Sequence, residues 1–251
     1  MKERLALLRN VALVTSVSYV ESAVGLAVGV LIARTLGPSD YGHYAFAVWM
    51  CGVLIGLGNH ALPSSSIRFL AEARGAGRGE VASHLIHRFL RLQTSSSVLV
   101  LAVFALAIWL RPLAEWDREA PLMVGLVVVA VWSRAGSLMR GSVGKGFERF
   151  EPESVALALT AVLNLAVVVA LALAHAGVTA FFASYAVLGF VSNMILRFML
   201  ARMGVRAAPG PIPADVSHRM RDHLWQTAVM MLLLLALGRT IEMALLKIYT
   251  T

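Results

Sequence analysis

Two ionisable side chains lie inside long apolar segments, where a charged group is costly and therefore a candidate for binding or proton transfer. Glu21 is near the middle of the segment 11–33, and Arg134 lies deep within the segment 121–139. A charge at the centre of a membrane-spanning helix costs at least about 2.5–3.5 kcal/mol on insertion scales. Two interpretations are open: an ion pair that holds two helices together, or a polar cavity in which Arg134 contacts an anionic headgroup. In the second, Glu21 could carry a coupling proton.

Arginine suits an anionic headgroup because its guanidinium group is always charged and can bind two phosphate oxygens at once. Four further polar residues lie in apolar segments. For Asn164 and Asn193 the first expectation is a hydrogen bond between helices, with a cavity role for Asn164 as the alternative. Arg239 and Glu242 are three residues apart, so they can pair on one helix face and are further cavity candidates.

Motifs of enzymes and metal sites are largely missing. The sequence has no H-E-x-x-H, G-x-S-x-G or D-x-D, and the stretch 141–146 lacks the first glycine and the final Ser or Thr of a phosphate-binding loop. His84 and His87 have helical spacing but no third ligand nearby, and Cys51 is the single cysteine. We therefore expect no catalysis, no cofactor and no metal.

The elements that must position these residues follow from composition. The chain has 251 residues, of which 59% are hydrophobic and 14% charged, with a mean hydropathy of +0.76. A soluble domain carries about 25% charged residues. Lipid must therefore solvate much of this chain, and the fold class is an all-α integral membrane bundle. The net charge of +8 is concentrated between apolar segments, which argues against nucleic acid as a partner.

About seven membrane spans are predicted, each near the ~20 residues that cross hydrocarbon as a helix. They cover approximately 11–33, 44–63, 93–110, 121–139, 154–174, 180–200 and 225–246. The predicted domains are a six-helix lobe at 1–200, a basic linker at 201–224 and a seventh helix at 225–251. A small interfacial helix within 214–223 is an alternative for part of the linker.

The distribution of positive charge orients the bundle. The amino terminus, the 64–92 loop, the 140–153 loop and the 197–224 segment hold 3, 5, 3 and 5 of the 22 lysines and arginines. Because cytoplasmic loops are enriched in these residues, we expect a cytoplasmic amino terminus in the inner membrane of a cell.

Two glycine pairs predict close helix packing in the first two spans. Gly25 and Gly29 lie in the first, and Gly52 and Gly56 in the second. Small residues four apart let helix backbones approach closely in lipid, within the bundle or at a dimer interface. Between these spans, Gly37 can take a left-handed C-cap conformation, and Ser39 or Asp40 can cap the next helix.

Several stretches resemble one transporter family, the Wzx-type polysaccharide biosynthesis flippases of the MOP exporter superfamily. The most specific lies between the first two spans, and three looser matches follow the second span, follow the fourth span and end the chain. In order they are Ala33-Arg-Thr-Leu-Gly-Pro-Ser-Asp-Tyr-Gly-His-Tyr-Ala-Phe-Ala47, Ile67-Arg-Phe-Leu-Ala-Glu72, Leu138-Met-Arg-Gly-Ser-Val-Gly-Lys-Gly-Phe-Glu-Arg-Phe150 and Gly238-Arg-Thr-Ile-Glu-Met-Ala-Leu-Leu-Lys-Ile-Tyr249.

The resemblance implies alternating-access flipping of an undecaprenyl-pyrophosphate-linked oligosaccharide through a cavity lined by charged side chains. It adds Arg34 and Arg68 to Arg134 as candidates for the pyrophosphate. Family members have 12–14 helices, so seven would supply the first lobe and one helix of the second. Completing the transporter would then require a partner chain or a longer protein. Polymerase or export proteins are further expected partners, beside the lipid-linked substrate and membrane lipid.

Three alternatives remain open at this stage. A drug or cation antiporter of the related MATE type should have mainly acidic cavity residues. A membrane polymerase or ligase would need longer outer loops for catalysis. The third alternative is a fragment that does not transport by itself.

Overall fold

The computed structural model describes residues 2–59, 61–110 and 120–250, with the side chains of 15–59, 61–110, 121–230, 232–234 and 237. Every regular element in these ranges is an α-helix, which confirms the all-α fold class. The helices are α1 (Lys2–Asn59), α2 (Leu62–Gly75), α3 (Gly79–Leu110), α4 (Ala120–Gly146), α5 (Glu151–Leu173), α6 (Val178–Arg202) and α7 (Ala214–Thr250).

Five of the described helices are long and apolar enough to cross a membrane, as a multi-pass membrane protein requires. They cover Thr15–Asn59, Gly79–Leu110, Pro121–Gly146, Glu151–Leu173 and Val178–Arg202. The first is 45 residues long, about twice the length that spans hydrocarbon. Helix α1 therefore contains the predicted first span and most of the second, whose predicted end at residue 63 lies in α2 instead.

A sharp break at Gly37 divides α1 into two arms. Gly37 has φ 77° and ψ 175°, and Pro38 follows it directly. The positive φ agrees with the expected glycine role, whereas this ψ is extended and does not match a left-handed C-cap. Gly25 and Ile55 nevertheless line one cavity, although 30 residues of straight helix would separate them by about 45 Å. The two arms therefore form the helical hairpin that the sequence predicted.

Two predicted connections contain more helix than expected. The 64–92 segment is not a loop, because it holds α2 and the first part of α3. Phe69, Leu70 and Ala73 of α2 are buried, while Arg68 and Glu72 are exposed. This one-sided burial is stabilised by tertiary packing rather than by an apolar run, so a hydropathy criterion misses it.

The other correction concerns the seventh helix. It begins at Ala214 rather than near 225, so the segment 214–223 is the base of α7 and not a separate interfacial helix. Val216 and Met220 of this base pack into the apolar cluster formed by α2, α3 and α4.

Close backbone packing occurs at other glycines than those predicted. A Cβ on Gly25 or Gly29 would meet no described atom within 4 Å, so this pair does not pack tightly within the described bundle, and its alternative role at a dimer interface stays a prediction. Gly52 and Gly56 are half-buried. The crowded glycines among the described residues include Gly58 on α1 and Gly210, which faces the His84 ring, and a larger group on α4 and α6. That group is Gly136, Gly141, Gly144, Gly146 and Gly189, in which Gly136 faces Asn193 of α6 and Gly189 faces Arg134 of α4. α4 and α6 thus form the tightly packed centre that positions the site below.

Candidate functional site: a cavity around Arg134

A cavity of about 400 Å³ lies between both arms of α1 and helices α4, α5 and α6. Its volume is within the range of about 300–1,000 Å³ that is common for ligand sites. It is lined by Glu21, Val24, Gly25, Ile55, Arg134, Ser137, Leu138, Leu157, Thr160, Ala161, Asn164, Tyr185, Leu188, Gly189 and Ser192. The structure therefore brings three predicted site residues, Glu21, Arg134 and Asn164, to one cavity.

Arg134 is held in this cavity by α6. Its guanidinium carbon lies 3.6 Å from the centroid of the Tyr185 ring, and its Nη2 donates a hydrogen bond to the Tyr185 carbonyl oxygen at 3.3 Å. Gly189, one turn further along α6, leaves room for the aliphatic stem. A Cβ at that position would lie 3.0 Å from Arg134 Cγ and 3.4 Å from Nε. The Arg134 side chain is thus held by the face and the carbonyl oxygen of Tyr185, and Gly189 provides the space that its stem occupies.

The charge of Arg134 is not neutralised by the described residues. No carboxylate oxygen among them lies within the 4.0 Å limit of an ion pair with its guanidinium group. The Arg134 Nε is buried and has no hydrogen-bond partner. A guanidinium group that is stacked on one side and lacks a counter-ion can bind an anion in the cavity through its terminal N–H groups, because a guanidinium group has five N–H donors and an anion supplies the missing charge.

Glu21 lies on the first arm of α1 and is exposed at the cavity. The direct ion pair with Arg134 that the sequence left open is not formed, since the described residues contain no such contact. The cavity interpretation of the two residues is therefore the one that agrees with their positions. An acidic group on α1 and a basic group on α4 face a common space without neutralising each other.

The two asparagines have different environments. Asn193 is buried, and its Oδ1 accepts a hydrogen bond of 2.6 Å from Arg140 Nη1, which joins α6 to α4 as expected. Asn164 faces the cavity, and its predicted hydrogen bond between helices is not found in the described part of the chain. Its amide is therefore available to a polar ligand.

Arg34 and Arg68 do not line this cavity. Arg34 is exposed near the break in α1. Arg68 is exposed on α2, where its Nη1 lies 3.2 Å from Nδ1 of His223 and its guanidinium carbon lies 5.6 Å from the Phe69 ring centroid. The side chains of Arg239 and Glu242 fall outside the described residues, so their pairing stays a prediction.

Sequence reasoning missed the uncharged polar residues of the cavity. Ser137 lies three residues after Arg134 on α4, and Tyr185, Gly189 and Ser192 follow one another at helical spacing on α6. Residues three or four apart share a helix face, so this spacing was a usable signal once Arg134 had been singled out. The Ser137 hydroxyl donates to the Ser133 carbonyl oxygen at 3.1 Å and can still accept a hydrogen bond from a ligand. Within the described residues, no group of three His, Cys, Asp or Glu side chains could hold a metal ion.

Comparison with known proteins gives one match. The family model described as "Polysaccharide biosynthesis protein" matches residues 7–250, which is nearly the whole chain. No curated protein matches, and no solved structure matches.

Proposed function

The chain belongs to the polysaccharide biosynthesis protein family, and from this premise we propose that it moves a lipid-linked oligosaccharide across the cytoplasmic membrane. The family supports a general role in polysaccharide export or flipping. The finer proposal is that the substrate is an undecaprenyl-pyrophosphate-linked oligosaccharide, and that the protein changes its leaflet without breaking a covalent bond.

The observation that carries this proposal is the state of Arg134. Arg134 has no counter-ion among the described residues and lines a cavity of ligand size. A pyrophosphate supplies the planar pairs of oxygens that guanidinium binds. Ser137, Ser192 and Asn164 add neutral groups for sugar hydroxyls.

The mechanism we propose is alternating access around this cavity. The headgroup binds Arg134 while the polyprenyl chain stays in lipid, and rocking of two helical lobes opens the cavity to each side in turn. A second lobe would come from a partner chain or from further sequence. Glu21 is placed to exchange an ion with the same space, which would couple transport to a gradient.

The test compares headgroup binding and flipping in proteoliposomes for wild type, Arg134→Ala and Arg134→Lys. A charge-assisted hydrogen bond contributes about 1.5–3 kcal/mol, so Arg134→Ala should weaken binding of a polyprenyl-pyrophosphate sugar by roughly 10–150-fold. Lysine should restore part of this affinity, because it keeps the charge but not the fork of donors. Arg34 is an exposed arginine outside the cavity, so Arg34→Ala is the matched control. This variant should bind the polyprenyl-pyrophosphate sugar as the wild type does.

Because binding is measured separately from flipping, the result is informative even where a second lobe is required for transport. Unchanged binding and flipping in both Arg134 variants would refute the proposed role of Arg134. An equal loss in Arg34→Ala would show that net charge, rather than the cavity, determines binding.

A further inference from the structure

A second, apolar cleft lies between α7 and the rest of the bundle. It has a volume of about 720 Å³ and is bounded by the second arm of α1, by α3 and by α7. The lining residues are Leu54, Leu57, Ser96, Leu99, Val100, Val103, Phe104, Ala107, Arg221, Leu224, Trp225, Ala228 and Leu232. None of them lines the Arg134 cavity, although Leu54 is the chain neighbour of Ile55, which does.

The cleft has one polar end. Its α3 residues run from Ser96 to Ala107 and its α7 residues from Arg221 to Leu232, which is the same number of residues on each helix. Each stretch has 12 residues, and the 11 steps between its first and last residue correspond to about 17 Å of helix. Arg221 and Ser96 begin this stretch, and every lining residue beyond Trp225 on α7 is apolar. A cation at one end of an apolar groove is the complement of an amphiphile with an anionic head.

Among the described residues of α7, the buried ones lie at its base. There Val216 and Met220 are buried, and Nη2 of Arg219 lies 2.7 Å from Oε1 of Glu72. Beyond this base, the described apolar side chains of α7 are largely exposed; Trp225, for example, is 72% exposed. In a bilayer, an open apolar cleft of this kind is occupied either by hydrocarbon or by another helix.

Arg221 is available to a lipid headgroup. Its side chain is 73% exposed, and its Nε lies 4.0 Å from Oδ1 of Asp222, at the outer limit of an ion pair. Its Nη2 lies 3.2 Å from Nε2 of His218. The positive-charge distribution predicts that this end of α7 faces the cytoplasm, where anionic lipids attract basic residues.

We infer that the α3–α7 cleft binds an anionic phospholipid, with one acyl chain along the cleft and the phosphate beside Arg221. This lipid fills the gap above the α7 base and thereby links α7 to the first six spans. The inference does not depend on the transported substrate, since it uses none of the residues of the Arg134 cavity.

The experiment uses quenching of tryptophan fluorescence by brominated acyl chains. A variant whose only tryptophan is Trp225, with the other four replaced by phenylalanine, is reconstituted with brominated phosphatidylglycerol or brominated phosphatidylcholine. Trp225 should prefer the anionic lipid by about fivefold in relative affinity, the factor that corresponds to roughly 1 kcal/mol per basic residue. Arg221→Gln in this background should abolish the preference.

The matched control keeps Trp132 alone, a tryptophan of α4 that is 41% exposed and does not line the cleft. It should be quenched equally by both lipids. Ala228→Phe, which fills the cleft, should reduce the preference at Trp225 while leaving Trp132 unchanged.

Three results would overturn the inference. Equal quenching of Trp225 by both lipids would show that the cleft does not select an anionic head. Absence of quenching at Trp225, with normal quenching at Trp132, would show that a protein helix occupies the cleft. Stronger displacement of the brominated lipid by a polyprenyl phosphate than by unlabelled phosphatidylglycerol would assign the cleft to the substrate lipid instead.

Discussion

Replacing Gly189 by alanine tests whether the position of Arg134, and not only its charge, determines headgroup binding. The new Cβ would lie 3.0 Å from Arg134 Cγ, which is tighter than ordinary van der Waals contact, and 3.4 Å from Nε. The arginine stem must therefore shift by a few tenths of an ångström, and this displaces the guanidinium group, whose carbon now lies 3.6 Å from the centroid of the Tyr185 ring. A displacement that costs one charge-assisted hydrogen bond to the headgroup would weaken binding by roughly 10–150-fold.

The assay is binding of a polyprenyl-pyrophosphate sugar to the reconstituted protein, in a double-mutant cycle with Arg134→Ala. Coupled residues show non-additive effects, so Gly189→Ala should reduce binding in wild type and have little further effect once Arg134 is gone. Gly125→Ala on α4 is the control, because its Cβ would meet nothing within 4 Å. Additive losses in the cycle would refute the reasoning, since Gly189 would then act independently of Arg134.

Two further predictions concern the packing of α2. Gly146→Ala would place a Cβ 2.8 Å from Leu70 Cβ, and overpacking of this kind should destabilise the protein by about 1–3 kcal/mol. The measurement is Tm in detergent, with Gly75→Ala as the control because its Cβ would meet no described atom within 4 Å. A lower Tm for Gly146→Ala than for Gly75→Ala would confirm the prediction. Burial, and then the positive charge of Arg68, lower the pKa of His223 below its usual 6.5. The stability contributed by neutral His223 beside Arg68 is therefore fully present above pH 6.5. It is lost as the pH falls through the lower pKa of the folded state. Hydrogen exchange at the α7 base should therefore accelerate on acidification in wild type and not in His223→Gln, and equal acceleration in both would contradict this assignment.

The hydropathy of the chain was sufficient to predict the fold class and the first helical hairpin. The rule that ionisable residues in apolar segments have a functional or structural reason selected Glu21 and Arg134, and the structure places both at the cavity that Asn164 also lines. That rule does not say whether two such residues pair. The answer depends on the separation of α1 from α4 across the cavity, which no local pattern encodes.

The errors have a common physical origin. A pair of glycines four residues apart permits close packing but does not require it, and Gly25 and Gly29 have open space beside them. The glycines that do allow contact, such as Gly136 and Gly189, are identified by what faces them on another helix. Helix α2 was missed because its apolar residues occupy only one face, which lowers the mean hydropathy of the segment.

The arm of α1 that follows Gly37 is a wall shared by two compartments. Ile55 borders the compartment of Arg134, whereas Leu54 and Leu57 border the one beside α7. Consecutive residues of a helix differ by about 100° in direction, so a roll of this arm about its own axis would turn surface from one compartment toward the other. A ligand that caused such a roll by binding in one cavity would therefore change the shape of the other.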